Sequence, residues 1–298
     1  YYDTVTDYID IGNVRWDEEG IIHTDGWDGI ERDEDKYYAV MMRNLHEVLD
    51  EKGVNLVITI LNPSGENGNQ RVMKSITENR DTLITNMIAF ANKYEFDGID
   101  LDWEFPLSQD EFDAYNSFLQ ELKARMKTEM WNKEDATLSV ALATWALKYT
   151  PETIECIDYV NAMGYDILDQ DGQHSSFFSS CVQAADYIEI QGFSKEQINI
   201  GFPFYGTWEG GRMQQYAYNA ISEEISPFNN FYTMKKSDTK EDRYTYFNSQ
   251  AIIRDKTAYA YLKGYGGVMI FSQYCDLPSD DERSLTKAIS DYLQEVTK

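Results

Sequence analysis

Short apolar runs alternate with longer amphipathic segments along most of this chain, and that alternation limits the folds open to it. Val54 to Leu61 is short and β-branched, as a strand buried on both faces requires. From Asp81 to Tyr94, Leu83, Met87, Ile88 and Ala91 recur at helical spacing. Phe96 to Trp103 reads as a second strand, and Phe112, Tyr115, Phe118, Leu119, Leu122 and Met126 then mark one face of a helix. Further strands are expected at Leu138–Ala143, Tyr159–Met163, Ile198–Phe202 and Gly267–Phe271, with helices over Cys181–Gln191, Ala251–Leu262 and Ser284–Val296. Repeated βα units without a long structureless linker predict one parallel α/β domain over residues 1–298. Periodicity alone leaves a closed barrel and an open sheet close to even.

Two places break the pattern. Tyr8 to Asn13 reads as a strand with no complete βα unit before it, so seven good strands are counted where a (β/α)₈ barrel has eight. The first strand is therefore expected to be missing or atypical. Between Tyr205 and Tyr246 the alternation lapses into Gly210-Gly211, several tyrosines and a charged run from Lys235 to Arg243. In a barrel this is a short insertion between strands 7 and 8, carried over the catalytic face; a surface loop or hairpin away from any ligand is the other reading.

Charge and cysteine usage narrow the partners. A formal net charge of −26 disfavours nucleic acid and anionic membrane. Cys156, Cys181 and Cys275 form neither a CxxC pair nor a metal finger, and read as small buried hydrophobes. His23, His46 and His174 are scattered, so no zinc site is expected. No run approaches the roughly 18 apolar residues of a membrane span. The chain opens on Tyr1 rather than Met, so an upstream segment is expected, and localisation is not legible here.

The stretch that carries chemistry is Asp97-Gly98-Ile99-Asp100-Leu101-Asp102-Trp103-Glu104. Side chains on a strand alternate faces, which puts Asp100, Asp102 and Glu104 on one side and Ile99, Leu101 and Trp103 on the other, toward covering helices. Burying an unpaired carboxylate costs several kcal/mol by usual estimates, so such groups pair, share protons or shift their pKa. An acid ladder of this kind is expected to keep Glu104, at its open end, protonated near neutral pH. A solvated acidic loop fits poorly with the apolar alternation. A hard-cation site of oxygen ligands or a purely structural cluster stays open on these residues alone.

The same eight residues resemble the DGxDxDWE signature of family 18 glycoside hydrolases, which holds chitinases and endo-β-N-acetylglucosaminidases. Met163-Gly164-Tyr165-Asp166 is similar to the family's MxYD motif, Gly201 to Gly206 to its GxPFYG motif, and Gly266 to Ser272 to its GGxMxWS. Asn248 to Lys256 also resembles the segment before that last strand. The resemblance implies a (β/α)₈ barrel and retaining, substrate-assisted hydrolysis of β-1,4-linked N-acetylglucosamine, with no cofactor and no metal. In that scheme Glu104 is the acid and base, and Asp102 holds the acetamido N–H. Asp100 buffers Asp102 through a shared proton, and Tyr165 orients the acetamido carbonyl. Asp166, Met163, Tyr205, Phe271 and Trp145 would bind sugar, while Asp97 would be structural. The implied partner is an N-acetylglucosamine-containing oligo- or polysaccharide, acted on by a monomer that is secreted, periplasmic or at the cell surface.

The match has gaps. The family's SxGG after the third strand does not align with Leu61-Asn62-Pro63-Ser64-Gly65, its eighth-strand Trp is Phe271, and the Arg after PFYG is Thr207. These changes spare the acids but leave the glycan open among chitin, chito-oligosaccharides, an N-glycan core and a peptidoglycan-derived sugar. A non-catalytic sugar-binding protein is the other class. Such members usually lose the acid that stands here as Glu104.

Overall fold

The computed structural model describes residues 2–25, 33–34, 36–172, 176–208, 216–220, 226–235 and 242–298. His174, Gly210, Gly211 and positions 236–241 of the charged run lie outside the described residues. The chain divides into two compact units, Tyr2–Val160 and Asn161–Lys298.

The first unit contains β1 (Asp7–Trp16), β2 (Ile22–His23), α1 (Tyr38–Lys52), β3 (Asn55–Leu61), α2 (Gly68–Thr77), α3 (Arg80–Lys93), β4 (Gly98–Leu101), α4 (Gln109–Glu129), β5 (Thr137–Leu142) and α5 (Pro151–Cys156). β1 pairs in parallel with β3, β3 with β4, and β4 with β5, while β2 folds back antiparallel on the end of β1. The opening strand is thus atypical in carrying an added hairpin before its helix. Its register slips between Asp10 and Val14, where Gly12 adopts a φ of 94° that suits a residue without Cβ.

α4 starts where its sequence supplies a cap. Ser108 accepts from the Glu111 N–H and Glu111 reaches back to the Ser108 N–H, a reciprocal pair that sets the first turn of α4. The predicted stripe of α4, from Phe112 to Met126, is buried as expected. Opposite it lie Ile99 and Leu101, both 0% exposed, and Trp103 at 3%. The expected strand over 96–103 is shorter, however. It ends at Leu101, so Asp102 and Glu104 stand beyond the ladder.

β6 (Tyr159–Ala162) carries the chain into the second unit, which continues with α6 (Phe178–Ile190), β7 (Ile198–Pro203), β8 (Tyr205–Trp208), β9 (Tyr216–Ala217), β10 (Phe231–Lys235), β11 (Asp242–Tyr246), α7 (Gln250–Lys263), β12 (Gly267–Phe271) and α8 (Leu285–Val296). β7 and β12 pair in parallel. Between Tyr205 and Tyr246 the described residues include four short strands: β10, β11, β8 and β9 pair antiparallel in that order. α7 is capped by Ser249 at its start and closed by Gly264 in the left-handed region. All three cysteines are free thiols. No described helix is long and apolar enough to cross a membrane.

Gly98 shows how tightly the first unit is packed. A Cβ there would meet the Thr137 carbonyl oxygen at 2.6 Å and Thr137 Cβ at 2.8 Å, both fixed by the β4–β5 ladder. Gly98→Ala is expected to destabilise the protein by about 1–3 kcal/mol, read as a lower urea midpoint with an unchanged slope.

Candidate active site

The acid ladder lies in the first unit and is graded by burial. Asp100, on β4, is 3% exposed. Its neighbours in register on the flanking strands are Thr59 and Ser139. Thr59 Oγ1 donates to Asp100 Oδ2 at 2.7 Å, and Ser139 Oγ donates to Oδ1 at 2.6 Å. Two hydroxyl donors stabilise the ionised form of a carboxylate in a site that water does not reach. The sequence reading missed both residues. The available signal was a lone hydroxyl in each otherwise apolar run, Val57-Ile58-Thr59-Ile60 and Leu138-Ser139-Val140.

Asp102 has the opposite environment. Its Oδ1 is buried with no hydrogen-bond partner among the described residues. Burial first, then the charges of Glu104 and Asp100, push its pKa up to about 8. Glu104 is exposed at the end of the series, and partial desolvation raises its pKa. Asp102 and Glu104 are thus both driven toward the protonated form. Behind them Trp103 meets the buried Tyr115 edge-on at 5.1 Å. Beyond Glu104, Phe105 meets Trp145 at 5.0 Å, and Trp145 keeps 46% of its surface exposed. Asp97 serves the strand entrance, where its Oδ2 accepts from the Leu56 N–H at 2.8 Å.

The second unit gathers four of the other expected residues. Tyr165 and Phe271 stack with ring centroids 5.8 Å apart and planes 13° from parallel. Tyr205 stands edge-on to both, at 6.2 Å from each. The Tyr205 hydroxyl donates to Asp166 Oδ1 at 2.8 Å, and Tyr205 is only 3% exposed, so it braces Asp166. Asp166 has a φ of 59°, a left-handed conformation that Asp tolerates better than most residues. Met163 is half-buried just past β6. Gly201 makes room for Tyr165: a Cβ there would lie 2.7 Å from the Tyr165 ring and 2.6 Å from the Ala162 carbonyl oxygen.

Among the described residues, no three His, Cys, Asp or Glu side chains are grouped so as to hold a metal ion. His23 bonds Asp17, and His46 bonds the Tyr94 carbonyl and Asp50.

The raised pKa of Asp102 has a consequence for stability. A carboxyl whose folded pKa lies above its unfolded value near 3.9 favours folding most at low pH, and loses that contribution as pH rises to about 8. Asp102→Asn removes the ionisation. Its stability relative to the parent is expected to rise between about pH 4 and pH 8 and then level off, measured by urea unfolding across that range.

Comparison with known proteins places this geometry. The sequence profile of Glycosyl hydrolases family 18 matches residues 51–276. The chain is 38% identical over 104 residues to killer toxin subunits alpha/beta of Kluyveromyces lactis, covering 30% of this chain and 9% of that protein. It is 26% identical over 269 residues to chitinase A1 of Niallia circulans, covering 69% of this chain and 38% of that protein. The chain thus spans well under half the length of these two relatives. A solved chitinase from Bacteroides thetaiotaomicron superposes with a TM-score of 0.76 at 21% identity, over 99% of this chain and 90% of that one. At that identity the likeness shows the fold, a (β/α)₈ barrel, and the profile match adds the lineage: the chain belongs to glycosyl hydrolase family 18.

Proposed function

We propose that this chain hydrolyses β-1,4 linkages of N-acetylglucosamine-containing glycans, chitin or its oligosaccharides, by retaining, substrate-assisted catalysis. The observation that carries the reading is the partnerless, buried Oδ1 of Asp102 next to the exposed acid Glu104. A buried acceptor without a donor is costly unless a ligand supplies one. An acetamido N–H is a donor of the right kind.

The chemistry then runs as follows. When the acetamido N–H donates to Asp102, the Asp102 anion is stabilised, and its proton becomes available to Glu104. Glu104 gives a proton to the glycosidic oxygen as that bond breaks, while the sugar's own acetamido carbonyl oxygen attacks C1. The positive oxazolinium intermediate is held by the Asp102 carboxylate, and Asp100, fixed by Thr59 and Ser139, adds negative potential beneath it. Glu104 next takes a proton from water, which attacks C1 from the face the leaving group vacated and breaks the C1–O bond to the acetamido oxygen; two inversions retain the configuration. Tyr165 is assigned to orient the acetamido carbonyl, and Asp166 to bind a sugar hydroxyl. Phe271, Trp145 and Met163 are assigned apolar contacts with sugar rings, and Tyr205 acts through Asp166. The partner is a neutral glycan, which suits a chain of net charge −26. Because such polymers lie outside the cytoplasm, we place the protein in a secreted, periplasmic or cell-surface setting, acting as a monomer.

The test incubates the protein and its Glu104→Gln variant with labelled chito-oligosaccharides and with a high-mannose glycopeptide. Chito-oligosaccharides are expected to be cut, and the variant to lose at least about 10²-fold in rate. Cleavage of the glycopeptide alone would move the assignment to an endo-β-N-acetylglucosaminidase, and binding without turnover to a sugar-binding protein. Cellulose oligosaccharides, which lack the 2-acetamido group, are expected to stay intact over the same period. Their ready hydrolysis would remove substrate assistance.

A further inference from the structure

Glu104 sits one residue past the indole of Trp103 and one before the carbonyl of Phe105, and a single amide from α2 holds both. Asn69 Oδ1 accepts from Trp103 Nε1 at 3.1 Å, and Asn69 Nδ2 donates to the Phe105 carbonyl oxygen at 3.0 Å. The other Nδ2 hydrogen goes to Glu111 Oε1 at 3.0 Å. The amide's orientation is over-determined: an indole N–H only donates, and a carbonyl or carboxylate oxygen only accepts, so the flipped amide would lose all three bonds. Glu111 completes the grip, its Oε2 accepting from the Leu107 N–H at 2.7 Å and the Ser108 N–H at 2.8 Å. Burial opposes ionisation of Glu111, but these backbone donors and Asn69 outweigh it and hold its pKa below the ordinary range.

We infer that Asn69 is a positioning residue for Glu104: it holds the indole of Trp103 before the proton donor and the Phe105 carbonyl after it, with Glu111 locking the chain that follows. The physical need is clear from the fold. β4 ends at Leu101, so no ladder fixes residues 102–107, and Glu104 itself is exposed. Without the clamp the acid would be placed only by its rotamer and by the packing of Trp103 on Tyr115 and of Phe105 on Trp145. A misplacement of about 1 Å can cost about 10²-fold in a proton-transfer step.

The inference rests on the proposed hydrolase reading, and the experiment separates the two. Asn69→Leu, and the same-sized Asn69→Asp, which keeps the Trp103 bond but loses both donors, are compared with the parent on two substrates. One is chitotetraose, whose sugar leaving group needs a proton. The other is a dinitrophenyl chitobioside, whose phenolate leaves without one. The expected result is a fall of about 10–100-fold in kcat on chitotetraose with KM within about threefold, and a change under about threefold on the aryl glycoside. Equal losses on both substrates, or none on either, would overturn the inference, since a merely structural defect does not select by leaving group. Amide exchange at Leu107 and Ser108 supplies a reading that needs no turnover. It is expected to speed up at least about tenfold in both variants, whether or not the parent cleaves either glycoside. Unchanged exchange there overturns the clamp outright.

Discussion

Everything at this site depends on how three carboxylates in one short stretch are kept from repelling the fold apart. The solution is a burial gradient. Asp100 is deep in the ladder and is satisfied by two hydroxyls, Thr59 and Ser139, delivered by the strands on either side. Asp102 Oδ1 is buried without a donor among the described residues, and burial pushes the Asp102 pKa up to about 8. Glu104 reaches solvent-exposed ground, where its charge is cheapest and its chemistry is needed. One strand end thereby creates three different acids from nearly identical groups, by changing only the donors and the water around each.

The surroundings are built to make that gradient rigid. The residues alternating with the acids are apolar and buried, Ile99, Leu101 and Trp103, and Trp103 packs edge-on against Tyr115 of α4. Past the end of β4 the ladder bonds stop, and side-chain bonds take over: Asn69 and Glu111 tie down the residues flanking Glu104. The second unit follows the same logic with aromatic groups. The stacked Tyr165 and Phe271, the edge-on Tyr205 and the braced Asp166 fix one another, and Gly201 leaves the space that Tyr165 fills.

Among the described residues between Tyr205 and Tyr246, periodicity gave no sign of the strands, for a physical reason. Its strands are short, and β8 and β9 pair over two residues only. Such segments give too few alternations to register as strands, and Gly and charged residues between them read as loop. Pairing in the antiparallel order β10-β11-β8-β9 supplies the missing support. Trimming at the other end has a similar cause. Asp102 and Trp103 continue the alternation of β4, but the neighbouring strands offer them no ladder partners.

The sequence by itself determined the βα repetition, the buried stripe of α4 and the identity of the acids. These depend on local spacing and an eight-residue motif, both of which a linear chain displays. Only the tertiary structure decided which partners each acid meets and what holds the chain around Glu104. Thr59 and Ser139 lie 41 and 39 residues from Asp100, and Asn69 lies 34 residues from Trp103. A pKa is set by desolvation and by donors within hydrogen-bond reach, and both exist only once distant strands and helices have met.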